Sequence, residues 1–441
     1  MKLVRRSNIY LALIVAGSCV AGDAMLFGRG SSDPPDIVLV IIDTLRADHL
    51  SCYGYGENTS PFIDEIASKG VLFERTYSAA SWTAPSAASI HTSLYPFQHG
   101  VLTGFAATKK VIRANPTITL NSIPDEAETI AEVLGQAGYK TFAATDNLNI
   151  CKQEGFHQGF GAFASYNDRT AEVINDRLRR WKDDIRSANP YFLYIHYNDP
   201  HRPYQRRYQW YENRKDKMAT LKSDYDSEIN YVDAKLKEMF GLFAWDKDTI
   251  VIITSDHGEE FYEHGESGHG NNLYVENIHV PLLIYSPGHF EAGRRIAEPV
   301  GTIDILPTIR DLAGLPADPN AAGISLVPVV QGAAPSPDPR YLLSHLLRKK
   351  EEWREDLLSK SVIWGNLHYI VSVPGKEELY DVELDPGEQD SRIEELHSEA
   401  QLMKEYLIDF EETCNRLQQI SVQMPLDEDR VKELKSLGYF K

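Results

Sequence analysis

Two apolar runs rich in β-branched residues stand far apart in the chain: Ile37-Val38-Leu39-Val40-Ile41-Ile42 and Ile250-Val251-Ile252-Ile253-Thr254. Neither alternates with polar residues, so each predicts a central strand covered on both faces. Helical spacing predicts a helix over residues 60–67 ending at Gly70, another over 126–137 closed by Gly138, and a long amphipathic one over 224–240. Strands are expected from Thr141 and over 191–196. This alternation predicts an α/β fold, a mostly parallel sheet flanked by helices. After about residue 335 the pattern changes. Short strands at 362–364, 367–371 and 378–381 precede a helix from 390 to about 418. The expected division is a large domain over 36–335 and a C-terminal α+β subdomain over 336–441.

The start of the chain has a different pattern. Lys2, Arg5 and Arg6 precede an apolar stretch from Ile9 to Val20. That is the order of a signal peptide, which predicts export, with residues 1–30 as a signal or a membrane or lipoprotein anchor. Ala16-Gly17-Ser18-Cys19 loosely fits a lipoprotein cleavage box, and plain signal cleavage stays open beside it. Either way the mature protein is expected in the periplasm or at the cell surface, with a possible membrane tether at its N-terminus.

Composition narrows the partners. With 441 residues and 42% hydrophobic content the chain can bury a sizeable core. Its net charge of -19 excludes nucleic acid as the expected partner, because no basic stripe is present. Four scattered cysteines do not form a disulfide framework. An anionic substrate must therefore be drawn in by local features.

Those features lie at the ends of elements. Asp43 follows the first apolar run, and Asp256-His257 follows the second. Ligands of open α/β sheets sit beyond the carboxyl ends of the strands, so both acidic sites are expected at one rim. Thr83 precedes Ala84-Pro85-Ser86, and proline in a first turn puts Thr83 at a helix N-terminus, where an oxyanion is favoured. A threonine hydroxyl is a weak nucleophile and needs a nearby cation. Taken singly, each residue has a plainer reading: Asp43 as a turn cap, Thr83 as a helix cap, Asp256-His257 as an ordinary strand-to-loop turn.

In order along the chain, the motifs resemble the sulfatase branch of the alkaline phosphatase superfamily. The resemblance runs through Asp43, Ser51-Cys52-Tyr53-Gly54, the Thr83 segment, Leu94-Tyr95-Pro96 and Asp199-Pro200-His201. It continues through Asp256-His257-Gly258-Glu259, Gly268-His269-Gly270, Asp304-Ile305-Leu306-Pro307 and Glu378-Leu379-Tyr380-Asp381. It implies the alkaline-phosphatase-like sheet with a small C-terminal antiparallel sheet and helix. It also implies one divalent ion, zinc, manganese, calcium or magnesium, held by Asp43, Thr83, Asp256 and His257. His201 and His269 take substrate-oxyanion or leaving-group positions. Asn147, His264 and His99 are candidate substrate-binding residues. His264, His99 and Glu259 read equally as partners that orient the ligands. His91, His196 and His279 are read as structural.

Departures from the family pattern shape the expected chemistry. Thr83 stands where sulfatases carry the cysteine or serine oxidised to formylglycine, so no formylglycine is expected. Ala87 replaces an arginine, Thr44 a second aspartate, and His269 a lysine. The resulting expectation is a metal-dependent hydrolase, or group transferase, acting on an anionic ester through a covalent Thr83 intermediate. Phosphate esters or phosphodiesters are expected over sulfate esters by at least ~10²-fold in kcat/KM. The alternatives are a sulfate-ester hydrolase working without formylglycine and a non-catalytic exported binding protein that kept the fold.

Overall fold

The computed structural model describes residues 34–102, 104, 119–167, 170–245, 248–333, 340–349, 356–372, 375–415 and 423–425. The expected export segment, residues 1–30, lies outside them. Among the described residues no helix is long and apolar enough to cross a membrane.

A nine-stranded sheet organises the chain. Its strands are β1 (Asp36–Ile42), β2 (Val71–Tyr77), β3 (Lys140–Thr145), β4 (Ala162–Ser165), β5 (Tyr191–Tyr197), β6 (Thr249–Thr254), β7 (His279–Tyr285), β8 (Arg294–Ile296) and β9 (Val300–Gly301). The spatial order is β8-β2-β7-β6-β1-β5-β3-β4, with β9 paired to β2. β1 is central and parallel to both β5 and β6. β7 runs antiparallel to its neighbours β2 and β6, which makes the sheet mixed.

The unbroken apolar run of β1 is explained by its two covered faces. Ile37, Leu39 and Ile41 join one core cluster, and Val38, Val40 and Ile42 join the other. On the first face lie α2 (Thr83–Thr92), α3 (Ile130–Gln136) and α6 (Ile305–Leu312); on the second lie α1 (Pro61–Lys69), α4 (Ala171–Ser187) and α5 (Lys217–Phe243).

Caps set the boundaries that periodicity blurred. α3 starts at Ile130, four residues later than expected from residue 126, because Thr129 and Glu132 close a capping box, with the Thr129 N–H donating to the Glu132 carboxylate at 2.9 Å. α5 starts seven residues earlier than expected, at Lys217, because Asp216 accepts from the Ala219 N–H at 2.8 Å.

The small antiparallel sheet has four strands: β10 (Tyr341–Lys349), β11 (Asp356–Trp364), β12 (Leu367–Ser372) and β13 (Lys376–Asp381). Helix α7 (His397–Asn415) packs on it through Met403 and Leu407. It begins later than residue 390, because the Arg392 N–H is held by the Leu379 carbonyl at 2.7 Å and the intervening residues form turns. β10 docks next to the nucleophile segment: the Ser344 hydroxyl donates to the Ser78 carbonyl at 2.6 Å and the His345 N–H to the Ala79 carbonyl at 2.9 Å.

Candidate active site

Parallel register brings three distant segments to one rim. Ile41 pairs with His196 on β5 and with Thr254 on β6, so Asp43 emerges between residues that follow both strands. Thr44 has φ 59°, a left-handed conformation that costs a β-branched residue strain. The turn sends its N–H to Asp256 Oδ1 at 3.3 Å. The Tyr225 hydroxyl donates to its carbonyl at 2.8 Å.

Thr83 is the first residue of α2, and every residue of that helix is buried. Small side chains at Ala84, Ala87 and Ala88 let the helix sink into the core. Trp82 holds the cap position without a side-chain cap, so Thr83 does not cap the helix. The hydroxyls of Ser78 and Ser86 gather on the Asp256 carbonyl and tie the helix to the end of β6.

Around Thr83 the polar atoms are almost all acceptors. The His257 ring has Nδ1 at 2.8 Å from the Gly258 carbonyl, which can only accept, so Nδ1 carries the proton and Nε2 a lone pair. That Nε2 lies 3.3 Å from Thr83 Oγ1 and 3.6 Å from each of Asp43 Oδ1 and Asp256 Oδ2. Asp43 Oδ1 and Asp256 Oδ2 are buried and have no hydrogen-bond partner. Burial raises the pKa of both carboxyls, and each aspartate lacks a nearby donor on its inward oxygen. Burial also lowers the His257 pKa, with His269 adding to the effect, and keeps the imidazole neutral. Orphaned carboxylate oxygens facing an imidazole lone pair are what a divalent cation satisfies, so these residues fit the metal the family implies.

The outer oxygens of the same carboxylates are held firmly. Asp43 Oδ2 accepts from Asn147 Nδ2 at 2.5 Å and from His196 Nε2 at 3.3 Å. Asn147 is fixed in turn, accepting from the Asn149 N–H at 2.8 Å. His196 corrects the sequence expectation, which set it aside as structural. It is fully buried, and Asp43, His196 and Asp256 each offer a ligand atom within 4.8 Å of the others. Its Nδ1 faces the Tyr194 hydroxyl at 2.8 Å, and burial pushes its pKa down to about 4. Tyr194 therefore donates to Nδ1, and Nε2–H donates to Asp43. His196 thus positions Asp43, while His257 presents the lone pair inward.

Two further imidazoles stand over this cluster. The rings of His201 and His269 are 4.8 Å apart, and His269 lies 4.5 Å from His257. His269 Nδ1 meets Glu259 Oε2 at 3.2 Å. Burial opposes a charge on His269, but the Glu259 carboxylate, with Asp43 and Asp256 behind it, outweighs that and raises its pKa.

His99 and His264 are brought elsewhere. His99 is buried, bonded to Ser89 Oγ at 3.0 Å and to the Val101 N–H at 3.0 Å, and so braces the far end of α2. His264 spends both nitrogens, on Glu276 Oε1 at 2.7 Å and the Glu388 carbonyl at 3.1 Å, while its ring stacks on Tyr274. Ala87, at the family's arginine position, lies in the core.

A central sheet with a nucleophile helix, paired aspartates and an imidazole at its carboxyl rim defines an alkaline-phosphatase-like ester hydrolase. The chain matches the sulfatase family over residues 35–315, and the C-terminal region of N-sulphoglucosamine sulphohydrolases over 265–413. It belongs to the sulfatase family. Human arylsulfatase A is 26% identical, the match covering 71% of each chain. The Delta 4,5-hexuronate-2-O-sulfatase of Bacteroides thetaiotaomicron is 22% identical, over 81% of this chain and 84% of that one. Among solved structures, the phosphonate monoester hydrolase of Agrobacterium radiobacter superposes with a TM-score of 0.67 at 18% identity, over 89% of this chain and 97% of that one.

Proposed function

We propose that this protein hydrolyses a singly charged sulfate ester carried on a saccharide, with Thr83 as the attacking group. The saccharide part is supported by the hexuronate sulfatase relative and by the match to the C-terminal region of N-sulphoglucosamine sulphohydrolases. This moves the preferred substrate from the phosphate esters expected from sequence to sulfate esters.

The observation that carries the reading is the charge inventory. Three buried carboxylates, Asp43, Asp256 and Glu259, lie by the imidazoles His201 and His269, and a divalent ion held there would add two positive charges. Ala87 stands in place of an arginine. The site is left near neutral, about one positive charge at most, which matches a monoanionic ester and disfavours a dianionic phosphate monoester.

Asp43, Asp256 and His257, with Thr83, would hold the ion, which lowers the cost of ionising the Thr83 hydroxyl and of charge on the transferred group. With its proton released to solvent, Thr83 Oγ1 attacks sulfur in line with the ester oxygen, the bond from sulfur to that oxygen breaks, and the helix N-terminus faces the equatorial oxygens. His269, kept charged by Glu259, gives its proton to the leaving oxygen. Water then attacks sulfur of the Thr83 ester, one of its protons passing to Thr83 Oγ1 as that bond breaks and the other to His269, and sulfate is released.

A second reading is favoured by Thr83 itself. A threonine ester cannot eliminate as an aldehyde hydrate does, and attack at phosphorus of a monoanionic phosphonate ester or phosphodiester is the easier displacement. Matched 4-nitrophenyl sulfate, phenylphosphonate and phosphate, assayed with the same added divalent ion, test both. Both monoanions should turn over, with the phosphate monoester at least ~10²-fold lower in kcat/KM, about 2.7 kcal/mol of discrimination. A preference for the dianionic phosphate contradicts the charge argument. Phosphonate turnover without sulfate turnover selects the second reading.

A further inference from the structure

A cavity of about 460 Å³ opens at the same carboxyl rim of the sheet, away from the Asp43 cluster. That size falls in the range of small-molecule sites. Its walls come from the segment that follows β1, the segment that follows β5 and the first turns of α5. The β5 segment also carries His201, and Trp210 in the cavity wall is nine positions further along the chain. An extended chain of that length spans at most about 30 Å, so the cavity lies within reach of one extended substrate. A contact chain joins the two sites as well. Lys222 in the cavity wall meets Glu263 at 3.3 Å, and Glu263 meets Arg46 at 3.0 Å, three residues after Asp43.

The cavity's charges are already spent on each other. Arg214 pairs with Glu57 at 3.1 Å and with Glu212 at 2.7 Å. Asp226 meets His49 at 2.7 Å and accepts from the Tyr55 hydroxyl at 2.8 Å. No ionic group is left to recruit an anion. What remains is one flat apolar face with uncharged polar groups round it. The indole of Trp210 is half-buried in the cavity wall, an apolar body with one N–H to donate. Asn58 is exposed in the cavity wall, and Asn230 adds a second amide, whose Nδ2 donates to the Asp226 carbonyl at 3.2 Å and whose oxygen can accept. A flat aromatic face with amide donors and acceptors, in a wall whose carboxylates Glu57, Glu212 and Asp226 outnumber the cations Arg214 and Lys222, repels an anion and is the complement of an uncharged pyranose ring. The sugar's C–H face covers the indole while its hydroxyls both give and take hydrogen bonds. A second cavity of about 560 Å³ is also lined by Trp210, so this residue borders two spaces.

We propose that the Trp210 cavity is an accessory subsite for a neutral glycosyl residue, set beside the ester-cleaving centre so that the protein takes the ester as part of an oligosaccharide. The proposal deepens the saccharide reading above and rests on it for the link to turnover.

The test uses neutral tetrasaccharides of glucose, galactose and N-acetylglucosamine, titrated against the full chain while tryptophan fluorescence is read, with 4-nitrophenyl sulfate turnover measured in parallel. At least one tetrasaccharide should bind and perturb the fluorescence. Trp210→Ala and Asn58→Ala, followed by calorimetry because the first removes the reporter, should each weaken that binding at least tenfold. Both should leave aryl sulfate kcat/KM within about twofold. If Trp210→Ala also loses aryl sulfate turnover it has lost its fold, and the exposed Asn58→Ala then decides. Binding by none of the three sugars, or binding that neither variant weakens, overturns the subsite. Sugar binding in a protein that cleaves no sulfate ester leaves the subsite standing and removes the function proposed above.

Discussion

Asp43 is gripped from one side and exposed to need on the other. Asn147 and His196 hold Oδ2, while Oδ1 is buried without a donor. Purified protein should therefore carry about one tightly held divalent ion per chain, measured by elemental analysis, and Asp256→Ala should lose it. Stoichiometric metal in that variant would sink the ligand assignment. His196→Ala should keep the fold but weaken metal affinity by roughly 10–100-fold, the usual effect of removing a group that orients a ligand. Unchanged affinity would return His196 to a purely structural role. Asp43, Thr83, Asp256 and His257 were legible as candidates in the sequence because each lies within a few residues of the end of an apolar run or at the start of a helical turn. His196 was not, because it sits inside the apolar run of β5. Its meaning depends on a register with Ile41, which no local pattern encodes.

At the scale of elements, the loop after β6 is set by backbone contact. A Cβ on Gly258 would sit 2.0 Å from the Glu276 carbonyl oxygen, a rigid neighbour, so Gly258→Ala must move the loop that carries His257 and Glu259. The expected cost is at least ~2 kcal/mol of stability, read by denaturant unfolding, with metal binding weakened as well. A variant as stable as the parent would show that the loop gives way freely. The same loop is latched to the small sheet. His264 is pushed up to about 9: burial opposes its charge, and hydrogen bonding to Glu276 more than offsets it. Glu276 is itself raised, chiefly by burial and against the pull of His264, so the imidazole sets the neutral-to-alkaline window of the pair. A raised imidazole pKa stabilises the fold fully below the unfolded value of about 6.5 and loses that contribution as pH rises through about 9. Stability should therefore fall between pH 6.5 and 9, and His264→Gln should flatten that slope. An unchanged slope would remove His264 from the latch. Helix positions were readable from periodicity, whereas the starts of α3 and α5 were decided by Thr129 and Asp216. The latch was not readable, because Glu276 and Glu388 lie 112 residues apart in the chain.

For the whole molecule, the sheet places every site residue at one rim, and the acidic surface leaves anion capture to that rim. The mixed, mostly parallel sheet and the small antiparallel sheet were legible because unbroken apolar runs and short alternating strands differ in period. The reversal of β7 was not, since a strand buried on both faces reads the same in either direction. A chain beginning at Asp33 should remain soluble and active if the first 30 residues serve export, and unfolding of that shortened protein would make them structural. The central claim is that Thr83, at the head of α2, is the atom that receives the transferred group. Aryl sulfate turnover by wild type and Thr83→Ala, with intact mass read on rapidly quenched wild type, tests it most directly. Turnover should fall by at least ~10³-fold while fold and most of the metal persist, and the quenched wild type should carry one sulfuryl group on Thr83. Full turnover by Thr83→Ala, or an adduct on any other residue, would contradict the account.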